Sequence, residues 1–210
     1  MKTIYFVRHG ESEGNAGLVF QGPSSSLTEK GKEQAAFLAK RFTKLSVDVI
    51  IASTMKRAEE TAVIINDVIN KPIEFSGLFV ERRRPSWHVG RAKDDPEVLE
   101  ADKRIQENFG VEEFRLSDEE NFEDLKERAE KSLKYLAHRK EDKILVVTHG
   151  LFLRIVMASI IFEKNLTGRE AGEFIRAFHM KNTGITVVIN DPEATKTWWI
   201  RTWNDHAHLG

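Results

Sequence analysis

The sequence contains no cysteine among its 210 residues. Disulfides, thiol nucleophiles and cysteine-ligated metal sites are therefore excluded, and a reducing compartment fits the composition. An excess of charge of one sign is also lacking, because 32 Lys and Arg residues nearly balance 33 Asp and Glu residues. With no global field to attract nucleic acid or an anionic membrane, any affinity for anions must be local.

Long apolar runs are missing as well. The longest, residues 155–162, is far shorter than the roughly 18 residues that cross a bilayer. The first strand-like segment is interrupted at Arg8, too early for the apolar core of a signal peptide, so we expect a cytoplasmic protein without a membrane partner. No repeat, low-complexity tract or flexible linker divides the chain, which predicts a single domain over residues 1–210.

Short runs rich in Val and Ile are present, and such runs are typical of buried parallel strands. They lie at residues 3–7, 48–52, 73–76, 143–148 and 184–189, and a further strand at 197–203 leaves its direction open. Amphipathic helical patterns alternate with them, one capped by Thr28 and the next by Ser53 or Thr54. This alternation predicts an α/β fold with three α/β/α layers around a mostly parallel central sheet.

One segment, residues 82–121, breaks this alternation. It is polar, has no clear strand and contains two of the five prolines, with one short helical pattern near residues 97–109. We expect it to be a small helical cap insertion over the strand ends. The tryptophans of the last strand indicate either core packing or an edge that pairs in a homodimer.

Two of the predicted strands end in a histidine followed by glycine, at His9 and at His149. The carboxyl ends of parallel strands are where ligands bind in α/β sheets, so these side chains are expected to converge. Taken alone, each histidine is most simply a core residue. Arg8 and Arg57 change that balance, because two guanidinium groups beside two imidazoles suit a phosphate group.

An imidazole can attack phosphorus and form a phosphohistidine, which divides one difficult displacement into two easier ones. For this, His9 must be neutral, with its other ring nitrogen donating to a backbone carbonyl. His149 would donate to a phosphate oxygen, and Asn15 would complete the cradle or merely cap its turn. Gln21 and Gly22 follow closely enough to reach the substrate.

Glu81 follows the third predicted strand. A carboxyl group that is partly desolvated there would stay protonated, act as general acid and later deprotonate water. Beside the arginine run 82–84 it can equally be a salt-bridged surface residue. The run itself is either a solvated face neutralised by the acidic cap or a second anion site for a carboxylate or distal phosphate, walled by Trp87 and His88.

These residues, in this order, resemble the histidine phosphatase superfamily, in the branch of the cofactor-dependent phosphoglycerate mutases and related small phosphatases. The matching segments are Arg8-His9-Gly10-Glu11-Ser12, Leu27-Thr28-Glu29-Lys30-Gly31, Arg57-Ala58, Glu81 and His149-Gly150. The resemblance implies that His9 is phosphorylated, that Glu81 is the proton donor, and that no metal takes part. We expect no other cofactor. It also implies a phosphate pocket formed by Arg8, Asn15, Arg57 and His149.

The chain departs from the branch after Glu81. Residues 82–87 contain neither the Tyr/Gly stretch usual in the mutases nor the Gly/Trp/Glu/Gly pattern of many phosphatases. A short cap protects a phosphohistidine from water less well, which favours a phosphatase acting on a small phosphorylated metabolite. The alternatives are a phosphoglycerate mutase using the same pocket, and a non-catalytic binder of a phosphorylated ligand, against which the intact His9 and Glu81 count.

Overall fold

Six strands form one sheet in the computed structural model, which describes residues 1–210. The strands are β1 (Lys2–Arg8), β2 (Val49–Ser53), β3 (Ile73–Ser76), β4 (Lys143–Thr148), β5 (Ile185–Asn190) and β6 (Trp198–Asp205). Their spatial order is β3-β2-β4-β1-β5-β6, and the first four run parallel. β1 therefore lies beside β4 although they are far apart in sequence, which places the ends of both strands together.

The expectation of a parallel strand at residues 184–189 is wrong in direction. β5 pairs antiparallel with β1, and β6 pairs antiparallel with β5. The apolar run correctly indicates burial, since five of the six residues of β5 are buried. Burial on both faces does not encode direction, however, and an antiparallel strand inside a covered sheet has the same composition.

Seven helices flank the sheet. They are α1 (Glu13–Ala16), α2 (Glu29–Phe42), α3 (Lys56–Ile69), α4 (Pro96–Glu107), α5 (Phe122–Ala137), α6 (Gly150–Phe162) and α7 (Gly168–Ala177). One core joins the sheet to α5, α6 and α7, and a second joins its opposite face to α2 and α3. The three-layer α/β/α architecture is thus confirmed. No helix combines the length and apolar character that crossing a bilayer requires.

The starts of two helices show what the predicted caps do. Thr28 caps α2 as predicted, its side chain accepting the N–H of Gly31 at 3.0 Å. The prediction of a cap at Ser53 or Thr54 is wrong, because α3 begins at Lys56 and no side chain caps it. The hydroxyl of Ser53 is instead hydrogen-bonded within the candidate site described below.

The segment 82–121, predicted to be a cap, contains no strand, and α4 is the helix expected near residues 97–109. It is tied to the loop after α1 by backbone hydrogen bonds. The N–H of Phe20 donates to the carbonyl of Arg91, and the N–H of Gly90 donates to the carbonyl of Phe20, both at 2.9 Å. The cap and this loop therefore form one continuous wall over the carboxyl edge of the sheet.

The first motif turns tightly against α2, and this predicts a stability effect. A Cβ added at Gly31 would lie 1.9 Å from the carbonyl oxygen of Glu11, a contact that requires the backbone to shift. We expect Gly31→Ala to lower the free energy of unfolding by about 1–3 kcal/mol, measured by urea denaturation. Gly77→Ala is the matched control, since nothing lies within 4 Å of its added Cβ; equal losses in both variants would contradict this explanation.

Candidate active site

The two histidines that end predicted strands lie side by side. Arg8, the last residue of β1, pairs in register with Thr148, the last residue of β4. The next residue of each chain segment is a histidine, and the ring centroids of His9 and His149 are 5.0 Å apart. Their exposed fractions are only 3% and 0%. The expected convergence at the carboxyl edge of the sheet is therefore observed.

The hydrogen bonds of His9 determine which nitrogen carries its proton. Nδ1 lies 2.6 Å from the carbonyl oxygen of Gly10, which can only accept, so Nδ1 is the protonated nitrogen. Nε2 is therefore unprotonated, and its lone pair accepts the Nε–H of Arg57 at 3.2 Å, a bond that must give way to phosphorus when the ring attacks. Burial, followed by the nearby His149 and arginine groups, holds the pKa of His9 well below its ordinary value. The imidazole is thus neutral and oriented, as phosphoryl transfer to nitrogen requires.

Arg8 and Arg57 supply the positive charge next to this lone pair. Arg8 donates from Nη1 to the carbonyl of Met180 at 2.6 Å, while its buried Nε has no partner. Arg57 lies in the first turn of α3. One turn later in the same helix, the hydroxyl of Thr61 accepts the N–H of Gly10 and donates to the carbonyl of Arg57. Burial lowers the pKa of both arginines, yet a guanidinium stays charged in proteins.

His149 is held from the other side by the end of β2. Its Nε2 lies 2.8 Å from the hydroxyl of Ser53, which also accepts the N–H of Met55 at 3.2 Å. Burial and the neighbouring arginine charges hold the pKa of His149 well below its ordinary value, so the ring is neutral. The arrangement in which Ser53 donates to Nε2 leaves the buried, unpartnered Nδ1–H available for a phosphate oxygen.

Asn15 both caps helix α1 and lines the cavity described below. With Ser12 it forms a capping box at the start of α1, which confirms its alternative role as a cap. Asn182 donates from its side chain to the carbonyl of His9 at 2.8 Å and to Oδ1 of Asn15 at 3.3 Å. The oxygen of Asn15 is therefore engaged, and its amide N–H groups are those left for a ligand.

Glu81 occupies the N-terminus of α6, where no side chain of the helix itself forms a cap. Its carboxyl oxygens accept the N–H groups of Leu151 at 3.2 Å and Phe152 at 2.9 Å, and that of Arg82 at 2.9 Å. Unpaired N–H groups at a helix start favour a negative charge. The carboxylate thus completes a helix that begins directly after His149.

The expectation that burial keeps Glu81 protonated is wrong for the free site. Burial does raise the pKa of Glu81, but the three backbone N–H groups and the charge of Arg57 together outweigh it. The net pKa lies below the ordinary value, so Glu81 is a carboxylate at neutral pH. A proton that it donates must therefore arrive with the substrate or be taken from water during the reaction.

An ion pair fixes the segment that carries Glu81. Arg128 of α5 bonds both oxygens of Glu120 at 2.8 Å and donates to the carbonyl of Val80 at 2.7 Å. Oε2 of Glu120 also accepts the N–H of Arg83 at 2.8 Å. Both partners are mostly buried, so the segment on either side of Glu81 is held by charge-assisted hydrogen bonds.

A cavity of about 900 Å³ opens at this edge of the sheet. Seven of the eight predicted site residues line it: Arg8, His9, Asn15, Gln21, Gly22, Arg57 and Glu81. His149 does not line it; the ring is fully buried, with its centroid 5.0 Å from that of His9. No group of three or more His, Asp or Glu side chains is arranged to hold a metal ion.

The arginine run after Glu81 divides into different environments. Arg84 forms hydrogen bonds of 2.7 and 2.8 Å to the two oxygens of Asp102, the neutralised surface pair that was one of the two expectations. Arg83 is exposed and donates to the carbonyl of Asp118. Arg82 lines the cavity and makes no side-chain hydrogen bond or ion pair.

Sequence reasoning did not identify the residues that orient the histidines. Ser53 bonds the ring of His149, Asn182 donates to the backbone carbonyl of His9, and Thr61 accepts the N–H of the adjoining Gly10. In the sequence, only their positions hinted at such a role: Ser53 follows the predicted strand 48–52, and Asn182 precedes the predicted strand 184–189. Which strand lies beside which is not encoded in such a position, so these contacts could not be deduced.

The sequence profile of the histidine phosphatase superfamily (branch 1) matches residues 4–206. A putative phosphoserine phosphatase 2 of Hydrogenobacter thermophilus is 32% identical over 193 residues, which cover 90% of this chain and 89% of that protein. A probable phosphoglycerate mutase GpmB of Erwinia tasmaniensis is 29% identical over 217 residues, covering 100% and 95%. The two relatives thus carry names of different reaction types.

The structure of Bacillus stearothermophilus YhfR superimposes with a TM-score of 0.84 at 28% sequence identity, covering all of both chains. The likeness therefore extends from the sheet to the cap. The matching profile and the structural likeness together show that the chain belongs to branch 1 of the histidine phosphatase superfamily and is an enzyme of the histidine phosphatase type.

Proposed function

We propose that the protein is a metal-independent phosphatase that hydrolyses a small phosphate monoester through a phosphohistidine at His9. The observation that carries this proposal is the state of His9. Its Nδ1–H is bound to a carbonyl, and its Nε2 lone pair lies at the cavity between arginines. A neutral, oriented imidazole is a competent nucleophile, and a lone structural histidine needs no such surroundings.

In the first step Nε2 of His9 attacks phosphorus, and the bond from phosphorus to the ester oxygen breaks. The leaving oxygen takes a proton through Glu81. Because Glu81 is ionised in the free site, that proton enters with a substrate monoanion. The phosphoryl transition state is loose and spreads charge over three oxygens, which Arg8 and Arg57 at the cavity would bind.

In the second step water attacks phosphorus and the bond from phosphorus to Nε2 breaks. The carboxylate of Glu81 takes the proton of the attacking water and passes it to the departing phosphate, which leaves as H2PO4⁻, so that Glu81 is ionised again. Glu81 can accept this proton because it is ionised once the proton of the first step has passed to the leaving oxygen. The same group thus serves as acid and then as base, which contributes about 10²–10⁴-fold to each step.

A second candidate is a phosphoglycerate mutase, because relatives carry that name and the pocket is the same. The unpaired Arg82 favours it by offering a cation to the substrate carboxylate. A mutase returns the phosphoryl group to the substrate instead of passing it to water. The two candidates therefore differ in product rather than in the first chemical step.

The experiment is a panel assay with excess chelator, in which free phosphate is measured across phosphorylated sugars, acids, amino acids and nucleotides. Our proposal predicts phosphate release that the chelator does not reduce. Interconversion of 2- and 3-phosphoglycerate that the bisphosphate stimulates, with little free phosphate, would establish the mutase instead. If no ester is turned over while phosphate still raises Tm, the protein is a non-catalytic binder.

A further inference from the structure

The turn at residues 182–184 holds a threonine in a backbone conformation that threonine disfavours. Thr183 has a φ of +58° and is fully buried. The left-handed region is costly for a β-branched side chain, whereas Gly or Asn adopts it with less strain. Such strain persists only where the surroundings enforce it, and it is found most often at functional sites. The contacts of Thr183 therefore call for an explanation.

This turn holds the backbone of the proposed nucleophile. The N–H of Thr183 donates to the carbonyl of Arg8 at 2.8 Å, and the side-chain amide of Asn182 donates to the carbonyl of His9 at 2.8 Å. The same amide also donates to Oδ1 of Asn15 at 3.3 Å. Two consecutive carbonyls of the first motif are thus bound by two consecutive residues of the turn. The position of the His9 ring therefore depends on the position of this turn.

The hydroxyl of Thr183 takes part in two hydrogen bonds. It donates to the carbonyl of Asn182 at 2.7 Å, which occupies its only proton. Nε2 of His208, which lies 3.1 Å from the same hydroxyl oxygen, must therefore donate to it. Nδ1 of His208 is buried without a partner, and burial, followed by the charge of Arg41, lowers the pKa of the ring. His208 is thus a neutral imidazole whose one N–H is bound to Thr183.

The end of β6 brings His208 to this turn. Oδ1 of Asn204 accepts the N–H of Lys181 at 3.0 Å, so the strand is bonded to the residue that precedes the turn. The next residue, Asp205, forms an ion pair with Arg41 of α2. His208 follows three residues later and is held beside the turn by these two anchors. The hydrogen bond between His208 and Thr183 therefore joins two segments that are each fixed independently.

We propose that His208 and Thr183 are positioning residues for the reaction, although neither lines the cavity. His208 holds the hydroxyl of Thr183, the hydroxyl holds the peptide of Asn182, and the side chain of Asn182 holds the carbonyl of His9 and the amide of Asn15. A displacement of about 1 Å at a reacting group costs on the order of 10²-fold in rate. The inference deepens the proposed function and rests on it for the step in which His9 acts.

The first measurement is the kinetics of phosphate release by His208→Ala, well below its unfolding temperature. Loss of the hydrogen bond to Thr183 should lower kcat about 5- to 30-fold and change KM by less than about twofold, because Arg8 and Arg57 still bind the phosphate. His208→Gln should restore most of kcat, since its amide N–H can replace that of the ring. A purely structural His208 would lower Tm and leave kcat unchanged, and that result would overturn the proposal.

A double-mutant cycle tests the path from His208 to His9. Asn182→Ala removes the last link, and the double variant with His208→Ala should lose no more kcat than Asn182→Ala alone, because both act through the same contacts. Independent residues would multiply their losses. His206→Ala is the matched control and should keep kcat, since its ring bonds only the carbonyl of Asn204 at 2.8 Å. Multiplied losses, or an equal loss in the control, would overturn the proposal.

A readout without turnover separates this inference from the proposed function. The Nδ1–H of His9 donates to the carbonyl of Gly10 at 2.6 Å, a short bond that moves its proton resonance far downfield. In protein labelled with ¹⁵N-histidine, this resonance should move upfield and broaden in His208→Ala and return in His208→Gln. An unchanged resonance would overturn the positioning role even if the wild type releases phosphate, and the expected shift would support it even if none is released.

A second set of variants keeps the test decisive if His208→Ala does not fold. Thr183→Val lacks the hydroxyl and Thr183→Ser keeps it, so the serine variant should retain the His9 resonance and kcat while the valine variant loses both. Asn182→Ala, which changes a half-buried residue of the turn, should show the same loss as the valine variant. Equal behaviour of the serine and valine variants would overturn the proposal.

Discussion

His9→Ala is expected to lower the turnover of a phosphate monoester by at least about 10⁴-fold. The reason is that His9 is the cavity histidine whose Nε2 lies beside Arg57, whereas both ring nitrogens of His88, which also lines the cavity, are fully buried. His149, whose ring centroid is 5.0 Å from that of His9, is fully buried and has its Nε2 bonded to Ser53. The measurement is release of a nitrophenol from its phosphate ester in excess chelator, with wild type and variant at equal concentration.

The matched control is His138→Ala. That histidine is exposed at the end of α5, and its Nδ1 bonds only the carbonyl of Lys134 in its own helix. Turnover of this variant should equal that of wild type. Phosphate should still raise the Tm of His9→Ala, because Arg8 and Arg57 remain in place. Undiminished turnover in His9→Ala would refute the assignment of the nucleophile.

Glu81→Gln is expected to have the second largest effect, a loss of about 10²–10⁴-fold in kcat for an alkyl phosphate. Glutamine keeps an oxygen that accepts one N–H at the start of α6, so the variant should fold. It lacks the carboxylate that passes a proton to the alkoxide and then takes one from water. Turnover of glycerol phosphate, with denaturation measured in parallel, checks this expectation.

The leaving group separates the two roles of Glu81. A nitrophenolate needs no proton, so the first step should remain fast in Glu81→Gln with the aryl ester. Hydrolysis of the phosphohistidine still lacks its base, which predicts a burst of nitrophenol followed by slow turnover. A uniform loss on both substrates without a burst would contradict the acid and base roles, and would leave Glu81 as a helix cap alone.

The pH dependence follows from the direction of the pKa shift. Because the pKa of Glu81 is lowered, its carboxylate is ionised above that pKa, and the proton for the first step is carried by the substrate. A phosphate monoester loses its second proton near pH 6, so kcat/KM for an alkyl ester should fall as pH rises above about 6. Had burial kept Glu81 protonated, the fall would have occurred at higher pH.

Local patterns predicted much of this molecule. Thr28 indicated the start of α2, and apolar runs indicated strands whose ends carry His9 and His149. These features depend on neighbours in sequence, which is why periodicity and capping reveal them. The pairing of the two histidines followed from one general rule, that parallel strands meet at their carboxyl ends.

The features that sequence did not predict depend on contacts between distant segments. The direction of β5 is set by its partner β1, and the ionisation of Glu81 is set by the start of α6, about seventy residues away. A pattern in one segment cannot report which groups surround it after folding. The contact of His208 with Thr183 is of the same kind, because the two residues are 25 positions apart and meet through the pairing of β5 with β6.

Covalent transfer of phosphate to His9 can be trapped by rapid quenching. Glu81→Gln is mixed with an aryl phosphate, quenched in base within the burst and digested for mass spectrometry. The account predicts one phosphoryl group per chain at most, on the peptide that contains His9, stable in base and lost in acid. Equal burst amplitude without a phosphorylated His9 peptide, or a phosphoryl group on another residue, would contradict it.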